Sequence, residues 1–370
     1  MGAKCIFTWS TTKVDNWVLK LGLLSNDKFI ASTSSGSLAG YSLSKLASTS
    51  FISGDEMAHE SSINDMKVIN ESTIVSCSTD GVNIWDIRAA NKLVSSMTNS
   101  KNSNFLSLAY KDGLLAGGTE LSGTDAEVHI WDIRNSNNSI VKSFVDSHSD
   151  DVTALEFHPT LKQYLMSGST DGYVNIYDIS KPDEDDALHQ VINFGSVHSC
   201  HFLSESRVSI LTHIETLMFH DMNNTNYEDS ASANFVDLGD LRVKWPNNSY
   251  VVDLYPSGYI AYGNNESESL YILPFNPKKE QFKESKKIEL LGAHGKEIVR
   301  DVLAIPNTTQ CLTCGEDGNI KLWELPQKLK RYQFEKSKTS TSNSAHKDEA
   351  RAIKKDHSSK SRKDRRFKPY

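Results

Sequence analysis

The stretch Val82-Asn83-Ile84-Trp85-Asp86-Ile87-Arg88 recurs almost unchanged as Val128-His129-Ile130-Trp131-Asp132-Ile133-Arg134, and a third time as Val174-Asn175-Ile176-Tyr177-Asp178-Ile179. Each copy begins 46 residues after the one before it. A fixed period in the forties that ends on Trp-Asp is typical of four-stranded blades arranged around a ring. The repeat therefore predicts an all-β propeller.

Weaker copies extend the repeat over most of the chain. They place blades at positions 41, 220, 272 and 323, in Gly40-Tyr41-Ser42-Leu43, Leu217-Met218-Phe219-His220-Asp221, Leu270-Tyr271-Ile272-Leu273 and Ile320-Lys321-Leu322-Trp323-Glu324. Together with the three copies above, they predict seven blades within residues 1–335. An open array would leave an unpaired strand edge at each end, so we expect the ring to be closed.

A set of polar residues repeats with the blades. Each set combines a His ahead of the blade, a Ser or Thr, an Asp in a hairpin turn and an aromatic residue at the Trp position. The three sets are His59, Ser76, Asp80 and Trp85; His148, Ser167, Asp171 and Tyr177; and His294, Thr313, Asp317 and Trp323. Each Asp is followed by Gly, a pair that is preferred in two-residue hairpin turns.

The repeats, the Asp-Gly turns and the His-Ser-Asp-Trp sets resemble WD-repeat proteins. This resemblance implies that each set forms a buried chain of hydrogen bonds, in which Asp contacts His, His contacts the hydroxyl and the hydroxyl reaches the Trp indole. A core tolerates such a network only when all its polar groups are satisfied. Blades one, five and six lack most of the set, and we expect them to be the less stable part of the ring.

A finer resemblance rests on three stretches of blade four. They are His148-Ser149-Asp150-Asp151-Val152-Thr153, Phe157-His158-Pro159 and Ser167-Gly168-Ser169-Thr170-Asp171-Gly172. These stretches are similar to the family of WD-repeat-containing protein 89. The resemblance implies a single propeller and supplies no catalytic residue.

The sequence argues against an enzyme or a metal protein. Ser167, His148 and Asp171 are the residue types of a nucleophilic triad, but the same trio occurs in two other blades, which favours a structural role. Five cysteines at irregular spacing are typical of free thiols. Cys311 and Cys314 lie three apart in an alternating strand and should point to opposite faces, which disfavours a shared zinc ion. We expect no cofactor, no small-molecule substrate and no membrane span.

The composition changes near the C-terminus. Residues 347–370 contain ten Lys or Arg against four Asp or Glu. The whole chain carries a net charge of −7 and this tail +6, which leaves −13 for residues 1–346. We expect residues 336–370 to be disordered, and we interpret the tail first as a nuclear import signal. Alternatives are a patch for weak, non-specific nucleic-acid contact and a solubilising segment. The candidate import residues are Lys354, Lys355, Arg362, Lys363, Arg365 and Arg366.

Loops on one face of the predicted propeller are rich in carboxylates. The resemblance implies that this face, lined by the loops between blades and the turns between second and third strands, is the usual binding face. The candidate partner-binding residues are Glu60, Asp150, Asp151, Glu215, Glu297 and Glu316, with Glu120 and Glu266 beside them. A clustered charge steers partners of the opposite sign, so we expect a basic protein segment, such as a histone or ribosomal-protein tail. Trp245 is either an aromatic anchor for that partner or a residue packed between blades five and six.

Two copies of the repeat fit the pattern Trp-Asp-x-Arg. This pattern resembles the docking element of substrate receptors for cullin–adaptor ubiquitin ligases, and the resemblance assigns adaptor docking to Arg88 and Arg134. Arg is also common after this strand in ordinary propellers. The sequence therefore leaves three hypotheses: a nuclear, non-enzymatic interaction platform, a ubiquitin-ligase substrate receptor, and a nucleic-acid-associated factor that acts through its tail.

Removal of residues 347–370 tests the interpretation of the tail. The truncated protein should move from the nucleus to the cytoplasm because the Lys and Arg clusters are lost. Its melting temperature should stay nearly unchanged, because so polar a segment contributes little to a packed core. Fluorescence microscopy and thermal unfolding measure the two effects, and a large fall in melting temperature would show that the domain boundary is misplaced.

Overall fold

The structure, a computed structural model, describes residues 2–11, 15–49, 58–89, 93–135, 139–223 and 234–334. Within these residues, seven antiparallel sheets form the seven predicted blades. The prediction of a seven-bladed, all-β propeller is confirmed. Contacts within the chain separate residues 1–336 from residues 337–370, and the second of these segments lies wholly outside the described residues.

The first thirteen strands supply an N-terminal strand and blades one to three. They are β1 (Lys4–Ser10); β2 (Val18–Leu23), β3 (Lys28–Thr33), β4 (Leu38–Ser42) and β5 (Ala47–Thr49) in blade one; β6 (Asp65–Val68), β7 (Thr73–Ser78), β8 (Gly81–Asp86) and β9 (Leu93–Met97) in blade two; and β10 (Phe105–Lys111), β11 (Leu114–Thr119), β12 (Ala126–Asp132) and β13 (Ile140–His148) in blade three.

The remaining strands supply blades four to seven, with three short helical turns. They are β14 (Val152–Phe157), β15 (Tyr164–Ser169), β16 (Tyr173–Asp178), helix α1 (Glu184–Ala187) and β17 (Leu188–Asn193) in blade four; β18 (Val197–Ser204), β19 (Arg207–Thr212), β20 (Thr216–Asp221) and β21 (Phe235–Asp240) in blade five; helix α2 (Leu241–Lys244); β22 (Tyr250–Tyr255), β23 (Tyr259–Asn264), β24 (Ser269–Asn276), β25 (Gln281–Phe282), a 3-10 turn (Glu284–Lys286) and β26 (Ile288–Leu291) in blade six; and β27 (Val299–Ala304), β28 (Gln310–Gly315) and β29 (Asn319–Glu324) in blade seven.

Successive strands pair within each blade, except that β26 of blade six pairs with β24, and the first strands of the blades lie around the centre. The loops therefore divide between two faces. The upper face holds the turns between second and third strands and the loops that enter the next blade. The lower face holds the turns between first and second strands and between third and fourth strands.

The N-terminal strand closes the ring. Strand β1 pairs antiparallel with β29, from Lys4 opposite Glu324 to Ser10 opposite Asn319, and so becomes the fourth strand of blade seven. The Ala3 amide also donates to the Glu289 carbonyl of β26 at 2.8 Å. Residues 3–10 thus tie the outer edges of blades six and seven together.

Apolar side chains fill the spaces between neighbouring blades. The described residues contain seven buried clusters, and each combines side chains from two adjacent blades. At the junction of blades seven and one, Trp9 of β1 packs edge-on against Phe29, and Phe29 stacks on Tyr41 at 5.0 Å between ring centroids. Burial of the clusters, at about 25 cal/mol per Å² of apolar surface, is the main force that holds the blades together.

Residues 325–334 cross the lower face after β29. Leu329 is buried in the cluster between blades six and seven. The Tyr332 amide donates to the Ser257 carbonyl of blade six at 2.8 Å, and the Phe334 ring contacts His158 of blade four edge-on at 5.4 Å. This segment reinforces the side of the ring that contains blades five and six.

One position of the predicted repeat is wrong by three residues. In the first two strands of each blade, Asp253 pairs with Ala261 in blade six as Asp65 pairs with Cys77 in blade two. Trp85 lies opposite the residue three positions before Cys77, and the equivalent residue of blade six is Gly258, whose carbonyl accepts from the Phe275 amide at 2.8 Å. Phe275, which is followed by Asn276, therefore occupies the Trp position, for which the sequence predicted Ile272.

Candidate interaction face and the networks beneath it

The polar set of blade two lies between strands β7 and β8 and the loop that enters the blade. His59 Nδ1 is 2.5 Å from Asp80 Oδ1, and its Nε2 is 2.7 Å from Ser76 Oγ. The Trp85 indole donates to the same hydroxyl at 2.8 Å. The turn at Asp80 requires Gly81, whose φ of +114° is a conformation that side chains rarely adopt. The four side chains therefore form one continuous chain of hydrogen bonds.

Blade seven repeats this geometry. His294 Nδ1 is 2.7 Å from Asp317 Oδ1, and its Nε2 is 2.8 Å from Thr313 Oγ1, which accepts from the Trp323 indole at 3.0 Å. Burial alone would raise the pKa of Asp317, but the hydrogen bond and charge of His294, together with hydrogen bonds from Asn319, outweigh it, and the net shift of the pKa is downward. The carboxylate is therefore charged at neutral pH and holds the imidazole ring in place.

Blade four uses a tyrosine in place of the Trp. His148 contacts Asp171 at 2.9 Å and Ser167 at 2.6 Å. The Tyr177 hydroxyl lies 3.4 Å from Ser167 Oγ and accepts from Asn175 at 3.2 Å, so the contact that replaces the indole is long. Burial raises the pKa of Tyr177 to about 12. The Ser167 side chain is fully buried, which fits a structural role better than that of a nucleophile.

Blade three contains a polar network that the sequence did not reveal. Glu127 contacts His129 Nε2 at 2.7 Å, forms an ion pair with Lys101 at 2.7 Å and accepts from Asn99 at 2.9 Å. His129 Nδ1 lies 2.8 Å from Ser143. The signal was the His of Val128-His129-Ile130, where the other two strong copies have Asn. This cluster satisfies buried groups in a blade that lacks the repeated set.

Charged side chains on the first strands line the central channel, which contains a cavity of about 560 Å³. The imidazole of His201 in blade five lies 2.9 Å from Glu156 of blade four and 3.2 Å from Asp253 of blade six. Burial disfavours the protonated form of His201, but Asp253 and Glu156 outweigh it and raise its pKa to about 10. A charged His201 therefore links three consecutive blades, a contact that the sequence pattern did not reveal.

Two further channel carboxylates bind backbone amides of the next blade. Asp65 of blade two accepts from the Leu108 amide of blade three at 2.9 Å. Asp301 of blade seven accepts from the Leu21 amide of blade one at 2.9 Å. These two carboxylates hold neighbouring blades in register, so we assign them a structural role.

The upper face contains an acidic cavity between blades seven and one. Its volume is about 410 Å³, and its lining includes four carboxylates, Asp15, Glu297, Glu316 and Asp317, with Trp17 at its edge. Asp317 is held by His294, as described above. Within the described part of the chain, the exposed carboxylates of Asp15 and Glu297 have no ion-pair partner. The cavity therefore contains two carboxylates, Asp15 and Glu297, whose charge is not paired with a cation of the described residues.

Arg300 stands between the acidic cavity and the channel. Its guanidinium pairs with Glu316 and lies over the Trp17 ring at 5.6 Å from the centroid. Trp17 is 41% exposed and lines both the acidic cavity and the upper mouth of the channel. An indole face and a carboxylate already accommodate one guanidinium at this site, which demonstrates the type of contact a basic side chain would make here.

The other predicted carboxylates lie on the same face at other blades. Glu60 in blade two is exposed. Asp150 and Asp151 in blade four are half-buried, and Asp151 accepts from the Leu121 amide of blade three at 2.8 Å. Glu120 and Glu266 are exposed. The predicted residues thus share a face, but only Glu297 and Glu316 line the acidic cavity.

Two of the predicted partner-binding residues serve the fold. Trp245 is 5% exposed, stacks on Tyr262 at 5.3 Å and belongs to the cluster between blades five and six, so the prediction of an aromatic anchor is wrong and the packing alternative holds. Glu215 accepts from the Val251 amide at 2.9 Å, and burial raises its pKa to about 7. Its carboxylate therefore carries only part of a charge at neutral pH.

Arg88 and Arg134 occupy equivalent positions on the lower face of blades two and three. Each guanidinium donates through Nε and Nη2 to the Asp two residues earlier, at 3.0 and 2.8 Å for Asp86 and at 2.8 and 2.7 Å for Asp132. The Arg side chains remain 72% and 62% exposed. Arg242 forms the same fork with Asp240, although no Trp precedes that pair.

The candidate import residues, Lys354 to Arg366, lie outside the described residues. Among the residues that are described, no group of three His, Cys, Asp or Glu side chains is arranged to hold a metal ion. No helix in the described part of the chain is long and apolar enough to cross a membrane.

Comparisons with known proteins match this architecture. The family model described as "WD domain, G-beta repeat" matches residues 138–178 and 285–324. A WD repeat-containing protein of Saccharomyces cerevisiae is 40% identical over 325 residues, which cover 85% of this chain and 80% of the yeast protein. A WD repeat-containing protein 89 homolog of Dictyostelium discoideum is 26% identical over 72% of each chain. A chain from a crystal structure of a mitotic checkpoint complex has the same fold, with a TM-score of 0.63, 16% identity and coverage of 87% of this chain and 91% of that chain.

Replacement of Asp171 tests the role of the polar sets. Asp171→Ala should lower the free energy of unfolding by about 2–4 kcal/mol, because it leaves the buried His148 imidazole without its partner. Asp186→Ala, which removes an exposed carboxylate from the same blade, should have little effect and serves as the control. Denaturant unfolding measures both, and a serine-directed covalent probe should not label Ser167. Clean labelling of Ser167 in folded protein would contradict the structural role.

The link formed by His201 predicts a pH-dependent contribution to stability. The folded pKa of about 10 lies above the ordinary value of 6.5, so the contribution is complete below pH 6.5 and is lost as the pH rises through 10. His201→Gln should therefore cost about 1–3 kcal/mol at pH 7, and the difference from the wild type should shrink above pH 10. A difference that stays constant with pH would show that His201 is neutral in the folded protein.

Proposed function

The chain belongs to the WD-repeat family, and we propose that it is a nuclear, non-enzymatic interaction platform whose upper face binds a Lys- and Arg-rich segment of a partner protein. WD-repeat propellers typically serve as scaffolds for protein interactions. The observation that carries the more specific proposal is the acidic cavity between blades seven and one, where Asp15 and Glu297 remain without a basic partner among the described residues.

The chemistry of this cavity favours an organic cation. Its carboxylates are not arranged in a group that could hold a metal ion, among the residues that the structure describes. A Lys or Arg side chain can instead place its charge between Asp15 and Glu297 and its aliphatic stem against Trp17. Arg300 already makes this pair of contacts with Glu316 and the Trp17 ring.

The charge of the whole chain supports the same partner. Residues 1–346 carry −13, and a field of one sign speeds the association of partners of the opposite sign. The nuclear location is supported by the sequence of the tail, whose Lys and Arg clusters resemble import signals. Histone and ribosomal-protein tails are basic segments that fit both arguments.

Binding of a Lys- and Arg-rich peptide tests the proposal. The double variant Asp15→Asn, Glu297→Gln should weaken binding about three- to tenfold at low salt, as expected for two exposed charge pairs. The effect should shrink as added salt shortens the Debye length. Titration of a fluorescent peptide at low and high ionic strength measures both changes.

A matched variant separates the cavity from the overall charge. Glu71 and Asp112 are exposed carboxylates in lower-face turns of blades two and three, and Glu71→Gln, Asp112→Asn removes the same charge from the chain. This variant should bind the peptide nearly as well as the wild type. Equal losses of peptide affinity in the two double variants, or an affinity that does not change with salt concentration, would contradict a binding site at the cavity.

The exposure of Arg88 and Arg134 favours a second candidate, the substrate receptor of a cullin–adaptor ubiquitin ligase. The two guanidinium groups are held in the same conformation on adjacent blades, and both side chains are exposed instead of packed in the propeller core. Arg88→Ala with Arg134→Ala should remove cullin–adaptor subunits from the purified complexes, whereas Arg242→Ala, which breaks the same type of fork elsewhere, should not. If these subunits are absent from the wild-type complexes, or remain in the double variant, the second candidate fails.

A further inference from the structure

Two aliphatic side chains on the upper face of blade five are unusually exposed. Val243 of helix α2 is 82% exposed, and Ile214 in the turn between β19 and β20 is 62% exposed. Single exposed apolar residues are common on protein surfaces and need no explanation. These two, however, belong to segments in direct contact, and together they are termed the apolar patch.

The apolar patch rests on a well-anchored support. Leu241 is fully buried, and its amide donates to the Glu215 carbonyl at 2.9 Å, which joins α2 to the turn. The Arg242 guanidinium donates to the Ile214 carbonyl at 3.1 Å. The two side chains are therefore held outward by a fixed backbone, so a partner would not need to order this surface on binding.

The apolar patch is connected to the acidic cavity across the mouth of the channel. His213, which precedes Ile214, lines the upper end of the channel cavity, and Trp17 lines that cavity as well. Trp17 also borders the acidic cavity. The channel cavity therefore reaches from Trp17, at the edge of the acidic cavity, to His213, the residue before Ile214 in blade five.

The imidazoles at the channel mouth add no positive charge to the path of a basic segment. They are His198 and His213, whose ring centroids lie 5.3 Å apart. Burial and, for His213, the neighbouring imidazole lower the pKa of both groups. Both are therefore neutral at physiological pH.

We infer that the partner segment crosses the channel mouth, with Lys or Arg side chains in the acidic cavity and aliphatic side chains on the apolar patch. This inference rests on the proposed function and specifies its partner as a segment with a basic end and an aliphatic end. The charge of the cavity selects the basic end. Burial of Ile214 and Val243 against the aliphatic end adds affinity that charge alone does not supply, and this part of the affinity is insensitive to salt.

Two fluorescent peptides test the inference on the full-length protein. One carries a Lys- and Arg-rich sequence, a flexible Gly-Ser spacer and three leucines, and the other has serines in place of the leucines. The spacer is prepared in several lengths, because the segment must span the channel mouth. The leucine peptide of suitable spacer length should bind about tenfold more tightly, and this advantage should persist at high salt.

Variants assign that advantage to the apolar patch. Ile214→Ser with Val243→Ser should remove the advantage of the leucine peptide and leave the binding of the serine peptide unchanged. The control is Val94→Ser with Val141→Ser, which replaces two exposed valines on the outer strands of blades two and three and should keep the advantage. Thermal unfolding verifies that all variants fold, as expected for substitutions at exposed positions.

The possible failures are distinguishable. If both peptides bind equally at every spacer length, or if the advantage survives in Ile214→Ser, Val243→Ser, the inference is wrong and the proposed function stands. If neither peptide binds, the proposed function is wrong and the inference falls with it. A leucine-dependent signal that follows self-association of the protein, detected by analytical ultracentrifugation, would identify the apolar patch as a contact between two copies of the chain and would also overturn the inference.

Discussion

Pairing between the first strand and the last strand is the constraint on which the whole structure depends. A blade buries its apolar surface only against two neighbours, so the ring needs all seven junctions. The chain closes the last of them by pairing β1 with β29 across more than 300 residues. Trp9 of β1 then enters the cluster between blades seven and one. The acidic cavity lies at this same junction, so its shape depends on ring closure.

Polar networks divide the ring into two kinds of blade. In blades two, four and seven, buried chains of hydrogen bonds connect the hairpin turn that contains the Asp to the centre of the blade. Blades five and six lack these chains, and other contacts support them from the channel and from below. His201 links them to blade four through two carboxylates, and residues 325–334 cross beneath them. The upper face can therefore present charged and aliphatic side chains on a rigid support.

The sequence predicted the fold more completely than the site, for physical reasons. A period of 46 residues and a Trp-Asp ending are local features, so they identify blades without any knowledge of contacts between them. The position in blade six was wrong by three residues because Phe275-Asn276 replaces the Trp-Asp ending there. The sequence could not decide whether Trp245 is an anchor for a partner or packs between blades five and six, because its burial depends on contacts with the neighbouring blade. His201, Glu156 and Asp253 are far apart in the chain, and no spacing rule brings them together. The acidic cavity combines Asp15 with Glu297 for the same reason, and Asp15 was not among the predicted residues.

The proposed function requires that the upper face at the junction of blades seven and one binds a basic protein segment. Site-specific photo-crosslinking in cells tests it directly, with p-benzoylphenylalanine introduced at Trp17 and, as a control, at Val141 on the outer strand of blade three. Mass spectrometry of the products identifies the crosslinked segments. We expect Trp17→p-benzoylphenylalanine to capture Lys- and Arg-rich segments that Val141→p-benzoylphenylalanine does not. Capture of segments poor in Lys and Arg at position 17, or of the same segments at both positions, would contradict it.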